Sequence, residues 1–201
     1  MHSSIAVKLH LRPLPLAMLF AAEKPSGALE HDEEQFGCVI SLLDAAMAGR
    51  IVVLGRESQE CMLHGIGRCH KHIPTDNLPH YEVKHDYLVL KTLRRVDLRH
   101  ETPEVVTMLV NVNQLTSLVV LASHVSNDGH PVVIPRAASC HAVFLLPYHE
   151  AQQGRQRAVV GMLDPLTREF VNENMLSFSI PWQMFLEMEK FVDKGVLDQQ
   201  T

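Results

Sequence analysis

The sequence lacks the features that mark membrane-spanning and disulfide-rich proteins. No apolar run is long enough to cross a bilayer, and four cysteines in 201 residues are too few for a disulfide framework. Aromatic residues make up only 5%, but 46% hydrophobic and 20% charged residues are typical of a globular chain. The length suits one hydrophobic core, so we predict a single domain over residues 1–201 whose cysteines are free thiols or metal ligands.

The sequence also lacks a surplus of positive charge. Its formal net charge is -5, whereas nucleic acids and anionic membranes reward an excess of Lys and Arg. The basic residues between Lys84 and Arg99 fit one stripe of a helix, but Asp86 and Asp97 interrupt it, which favours a solvated face. We therefore expect neither a nucleic-acid partner nor a membrane partner.

The N-terminal apolar run, residues 14–22, follows two basic residues and could pass for the core of an export signal. Two prolines, at positions 13 and 15, disfavour that interpretation. The alternation of Val7 with Leu9, and of Leu14 with Leu16 and Met18, predicts buried strands instead. We expect a cytoplasmic protein.

Common catalytic signatures are missing as well. Gly65-Ile66-Gly67 begins a dinucleotide-binding fingerprint, but His70 stands where the third glycine is needed. The chain has no Walker loop, no Gly-x-Ser-x-Gly elbow and no His-Glu-x-x-His. The motifs in the sequence therefore do not decide whether the protein is an enzyme.

Periodicity predicts an α/β (or α+β) fold, one domain in which helices cover a mixed sheet. Short β-branched or alternating runs predict strands at 51–54, 105–110, 132–134, 158–163 and 175–180. Helical spacing predicts helices at 39–47, ended by Gly49, at 114–124, from Cys140 onward, and after Pro181. The apolar residues after Pro181 predict a helix that covers the core.

Two passages share one order of features. Residues 37–54 and 139–161 each run from a cysteine through a helix and a glycine to a strand. The pattern predicts half-repeats at 5–73 and 103–194, related by a pseudo-two-fold axis. Both an ancestral duplication and a chance similarity fit the pattern.

The cysteines carry the main functional prediction. Cys38 and Cys140 begin predicted helices, where the helix dipole favours thiolate, the form that binds metals. If the halves pack symmetrically, Cys61 can join them around an iron-sulfur cluster or a zinc ion. Cys69, His64 or a small molecule would then supply a fourth ligand.

Other interpretations of these cysteines stay open. A cysteine is often simply a small buried apolar residue, and the spacings here lack a tight Cys-x-x-Cys pair. In a metal-free enzyme or small-molecule binding domain, Cys140 would be the nucleophile or the ligand contact. In a structural module, the C-terminal helix would bind a partner or form a homodimer.

Asn113 and Gln114 are candidate ligand-binding residues, because they open a predicted helix directly after a strand. Helix capping by Asn113 is the simpler explanation of that residue. A small molecule or a redox partner is the expected partner class.

The chain resembles an uncharacterised family of bacterial and archaeal proteins, a domain of unknown function. The second half carries the likeness in Pro103-Glu104-Val105-Val106, Asn113-Gln114-Leu115 with Leu118 to Ala122, Val132-Val133-Ile134-Pro135 before Cys140, Ala158-Val159-Val160-Gly161, Ser177-Phe178-Ser179-Ile180-Pro181 and Met188-Glu189. In the first half, the similar features are Pro15 to Phe20 and the order Cys38, Ala45 or Ala46, Gly49, Cys61.

The resemblance implies that Cys38, Cys61 and Cys140 form one set, and it implies no particular activity. Residues 136–139 depart from the aromatic, glycine-rich stretch that the family has before the second-half cysteine. The resemblance therefore supports the predicted fold more than any ligand pocket at that place.

Overall fold

A computed structural model describes residues 2–59, 85–135, 137–162, 172 and 174–193. Its strands are β1 (Leu16–Ala21), β2 (Leu29–Glu30), β3 (Val52–Leu54), β4 (Tyr87–Thr92), β5 (Val105–Val110), β6 (Val132–Val133), β7 (Ala158–Gly161) and β8 (Leu176–Pro181). Its α-helices are α1 (Ser4–Lys8), α2 (Glu33–Phe36), α3 (Leu43–Met47), α4 (Val112–Val125), α5 (Leu146–Gln152) and α6 (Trp182–Asp193). Short 3-10 segments occupy Val39–Leu42 and Leu93–Arg95, and a π turn occupies His141–Leu145.

The eight strands found in the described residues form one mixed sheet in the order β2-β3-β4-β1-β5-β8-β7-β6. The α/β fold predicted from the sequence is therefore confirmed. The edge pairs β2–β3 and β6–β7 are parallel, and every other neighbouring pair is antiparallel. Both edge strands have only two residues, which limits the exposed backbone available for unwanted pairing.

The strand order reads the same from the central β1–β5 pair toward either edge. On one side lie β1, β4, β3 and β2, and on the other lie β5, β8, β7 and β6, with the same pairing senses. Because β1 and β5 are antiparallel, this arrangement has the topology of a two-fold axis perpendicular to the sheet. The ranges 5–73 and 103–194 of the half-repeats, and their origin by duplication, stay predictions.

The two faces of the sheet are covered by different helices. On one face, α1, α4 and α6 bury Ile5, Leu118, Leu121 and Phe185. On the other face, which we call the cysteine face, lie the segments 38–47 and 139–152. Strand β5 is apolar on both sides because both of its faces are covered, and each of its residues is buried.

Helix α6 is the amphipathic helix that the sequence predicts after Pro181. Met184, Phe185 and Met188 are fully buried, and Val192 is nearly so. These side chains pack into the core of the same chain, where α6 contacts α4 and α1. These four side chains therefore belong to the core of the chain itself.

Three local predictions are wrong. Val7 lies in helix α1 with 63% of its surface exposed, not in a buried strand, because Ser3 caps a helix there by accepting from the Ala6 N–H. Lys91 lies in strand β4, not in a helical stripe; it is buried and its Nζ donates to Glu101. Helix α4 is capped by Asn111, not by Asn113.

Candidate functional site

Cys38 lies at the N-cap of the 3-10 segment Val39–Leu42, in the connection between β2 and β3. Its side chain is half-buried and packs against the apolar core of the cysteine face. Gly37 precedes it with φ +67, a left-handed conformation that only glycine adopts at little cost. This turn directs the chain from α2 into the segment that Cys38 begins.

Cys140 occupies the corresponding connection of the second half, between β6 and β7. It has 1% of its surface exposed and belongs to the same apolar core, together with Val143, Phe144 and Tyr148. The structure therefore brings Cys38 and Cys140 to one face of the sheet. Cys61, Cys69 and His64 lie outside the described residues.

The chain around Cys140 contains the π turn, a feature that sequence reasoning missed. Residues 139–140 are helical, His141–Leu145 form the π turn, and α5 follows directly. π turns inside helices are uncommon and occur often at functional sites. Ser139 and His141, which flank Cys140, are as fully buried as the cysteine itself.

Pro147 explains where one carbonyl of this turn finds its partner. A proline has no N–H, so Pro147 cannot donate to the Val143 carbonyl four residues earlier. Thr107 Oγ1 of β5 donates to that carbonyl instead, at 3.3 Å, and shares a 2.9 Å hydrogen bond with Ser179 Oγ of β8. The π turn is thus joined to β5 and β8, the two strands of the second half nearest the centre of the sheet.

Gly161 brings the π turn close to the sheet. A Cβ at this position would lie 2.5 Å from Ala142 Cβ and 2.8 Å from Ser177 Oγ. Such distances are well below van der Waals contact, so only glycine permits this packing. The next residue, Met162, is buried with φ +65, a strained conformation for a side chain of this size.

Beside Cys38, the structure places a buried histidine that sequence reasoning also missed. His31 Nδ1 is 2.7 Å from Ser58 Oγ, and its Nε2 is 3.3 Å from the Gly37 carbonyl. Burial lowers the pKa of His31, which keeps the imidazole neutral at pH 7. Since both ring nitrogens have partners, the histidine supports the turn before Cys38.

The polar residues predicted at the start of α4 have structural partners. Gln114 completes a capping box with Asn111, and its Nε2 also donates to the Leu9 carbonyl at 3.0 Å. Asn113 is exposed on the first turn of the helix. Gln114 therefore joins α4 to the segment after α1, and a ligand-binding role for the two residues stays a prediction.

Within the residues that the structure describes, no three His, Cys, Asp or Glu side chains converge as metal ligands. The same residues contain no helix long and apolar enough to cross a membrane. Cys61, the third cysteine of the predicted metal site, is not among the described residues.

Comparison with known proteins gave one family. The model of DUF169, described as "Uncharacterised ArCR", matches residues 68–190. The match includes Cys69 and Cys140 and begins after Cys38 and Cys61. No curated protein and no solved structure matches the chain.

Proposed function

The chain belongs to the DUF169 family, and we propose that it is a metal-binding protein with a redox or ligand-binding role. In this proposal, thiolates of Cys38, Cys61 and Cys140 hold an iron-sulfur cluster or a zinc ion on the cysteine face. Cys69 or His64 is the candidate fourth ligand. We place the protein in the cytoplasm, with a small molecule or a redox protein as its partner and a homodimer as a further candidate state.

The single observation that supports this proposal is the equivalent placement of Cys38 and Cys140. Each cysteine begins the helical segment between the two strands of a parallel edge pair, and both contact one apolar core. Thiolates in such surroundings are desolvated, which strengthens binding to a cation that neutralises them.

The direct test is analysis of metal and acid-labile sulfide in protein purified without oxygen. The variants are Cys38→Ala, Cys61→Ala and Cys140→Ala, since alanine leaves no unpaired hydroxyl in the buried site. We expect metal in the wild type, and we expect each single variant to lose most of it. Iron with equimolar sulfide indicates a cluster, and zinc alone indicates a structural or catalytic zinc site.

Val39→Ala is the matched control, because Val39 is buried on the same face next to Cys38 but carries no thiol. It weakens the packing by a comparable amount and should keep the full metal content. Wild-type protein without metal, or equal loss in Val39→Ala, would count against the proposal.

A second candidate function is a metal-free domain that uses one reactive cysteine. The π turn at Cys140 favours this residue, since such turns recur at functional sites. With 1% exposure, however, Cys140 needs an opening motion to meet a reagent, whereas Cys38 is half-buried. Stoichiometric alkylation of Cys140 by iodoacetamide in metal-free folded protein, ahead of Cys38, would support this second function.

A further inference from the structure

A groove separate from Cys38 and Cys140 opens where β1 begins and β4 ends. Its volume is about 600 Å³, within the range of small-molecule sites. Helix α1 forms one wall with Ala6 and Val7, and Leu14, Met47 and Leu93 line the rest with apolar side chains. The groove therefore offers a concave apolar surface to a ligand.

Val7 shows that this apolar surface is open to solvent. It is 63% exposed although it is a branched aliphatic residue, and it belongs to the groove wall. Ala6, one residue earlier on the same helix, is buried. An aliphatic ligand along this wall would cover Val7 and remove its apolar surface from water.

Among the described residues, the charged side chains that line the groove are both arginines. Arg12 and Arg94 line it, both exposed, and His2 and His10 lie beside them. None of the lining residues that the structure describes is an Asp or Glu, although the chain as a whole has a net charge of -5. Such a local reversal of charge is complementary to an anionic group on the ligand.

The wall that carries Val7 is held in place by a buried carboxylate. Glu189 of α6 accepts from Ser3 Oγ at 2.5 Å, from the Ser4 N–H at 2.7 Å and from the Ile5 N–H at 3.4 Å. Glu189 thus satisfies free N–H groups at the start of α1. The helix is fixed against the body of the protein, so the groove is a formed site.

We propose that this groove binds a small amphipathic carboxylate, with its aliphatic chain along Val7, Leu14 and Leu93 and its carboxylate between Arg12 and Arg94. The apolar wall and the two guanidinium groups together define this class of ligand. An arginine can hold a carboxylate with two parallel hydrogen bonds, which favours a carboxylate over a neutral alcohol.

Titration calorimetry with decanoate tests the proposal, and decyltrimethylammonium serves as a probe with a similar chain and opposite charge. We expect saturable binding of one decanoate per chain and at least tenfold weaker binding of the cation. Arg94→Ala should weaken decanoate binding about three- to fivefold, as the loss of one exposed charge pair predicts. Val7→Glu should weaken it at least tenfold, because it places a carboxylate in the apolar wall.

The matched control is Arg56→Ala, which removes an exposed arginine near the opposite end of β4, where Arg56 pairs with Asp86. It should bind decanoate as the wild type does. Absence of saturable binding, equal affinity for the two probes, or equal weakening by Arg56→Ala and Arg94→Ala would overturn the proposal. A wild-type dimer that Val7→Glu converts to monomer in sedimentation would also overturn it, since a second copy would then cover the groove.

Discussion

Replacement of Gly161 by alanine is the most specific perturbation of the cysteine face. The new Cβ would lie 2.5 Å from Ala142 Cβ and 2.8 Å from Ser177 Oγ, while carbon atoms in contact are normally 3.5–4.0 Å apart. The new Cβ and the Ala142 Cβ must therefore move apart by about 1 Å. Ser177 can turn its hydroxyl away, but Ala142 moves only if the backbone of the π turn moves.

Overpacked cores lose about 1–3 kcal/mol, and we expect Gly161→Ala to lie at the upper end because one neighbour is fixed to the backbone. For a chain of this size, about 3 kcal/mol lowers Tm by roughly 6–12 °C. Urea unfolding followed by circular dichroism measures the free energy directly. The control Gly129→Ala should change it by less than about 0.5 kcal/mol, because no atom lies within 4 Å of the added Cβ.

A double-mutant cycle isolates the contact. Ala142→Gly alone should cost about 0.5–1 kcal/mol, as glycine does in a helix. In that background, Gly161→Ala should be less harmful by at least about 1 kcal/mol, since the closest clash is gone. Gly161→Ala with wild-type stability, or with the same cost in both backgrounds, would refute the packing argument.

Three further predictions concern other polar contacts. Burial raises the pKa of Glu189, so the native state binds the proton of this carboxyl group more tightly than the unfolded state does. The free energy of unfolding should therefore fall as pH rises from the ordinary carboxylate pKa through the raised pKa. Urea unfolding of Glu189→Gln should lack that decline. Thr107→Val should lower the free energy of unfolding by about 1–3 kcal/mol, because the buried Val143 carbonyl loses the Thr107 hydroxyl as a donor. Thr116→Val, at an exposed position of α4, should lower it by less than about 0.5 kcal/mol. Asn111→Ala should lower the free energy of unfolding by about 0.5–2 kcal/mol in the same assay, because the capping box of α4 is lost.

The sequence predicts best those elements whose residues pack in a regular pattern. Val105–Val110 is predicted to the residue, because a short run rich in β-branched and other apolar residues is typical of a strand covered on both faces. Strand β4 was missed because charged residues surround it. The partner that the structure shows for its buried Lys91 is Glu101, ten residues later. Local patterns cannot reveal such a tertiary partner.

The candidate site, like the fold, was predicted from the sequence only in part. The order of cysteine, helix, glycine and strand predicted that Cys38 and Cys140 occupy similar places, and the connections they occupy are equivalent in the sheet. The π turn was missed because its apolar residues have helical spacing, and because Thr107, which donates to its Val143 carbonyl, is distant in sequence. Pro147 was a signal of irregular helix geometry, but it did not indicate which residue would satisfy the freed carbonyl.

The most direct test of a shared thiolate site is X-ray absorption at the metal edge of protein purified without oxygen. If thiolates share the site, the metal has a shell dominated by sulfur, at about 2.3 Å for zinc, and the sulfur contribution is smaller in the metal that remains bound to Cys38→Ala or Cys140→Ala. A shell of nitrogen and oxygen alone, or sulfur ligation unchanged in both variants, would contradict a shared thiolate site.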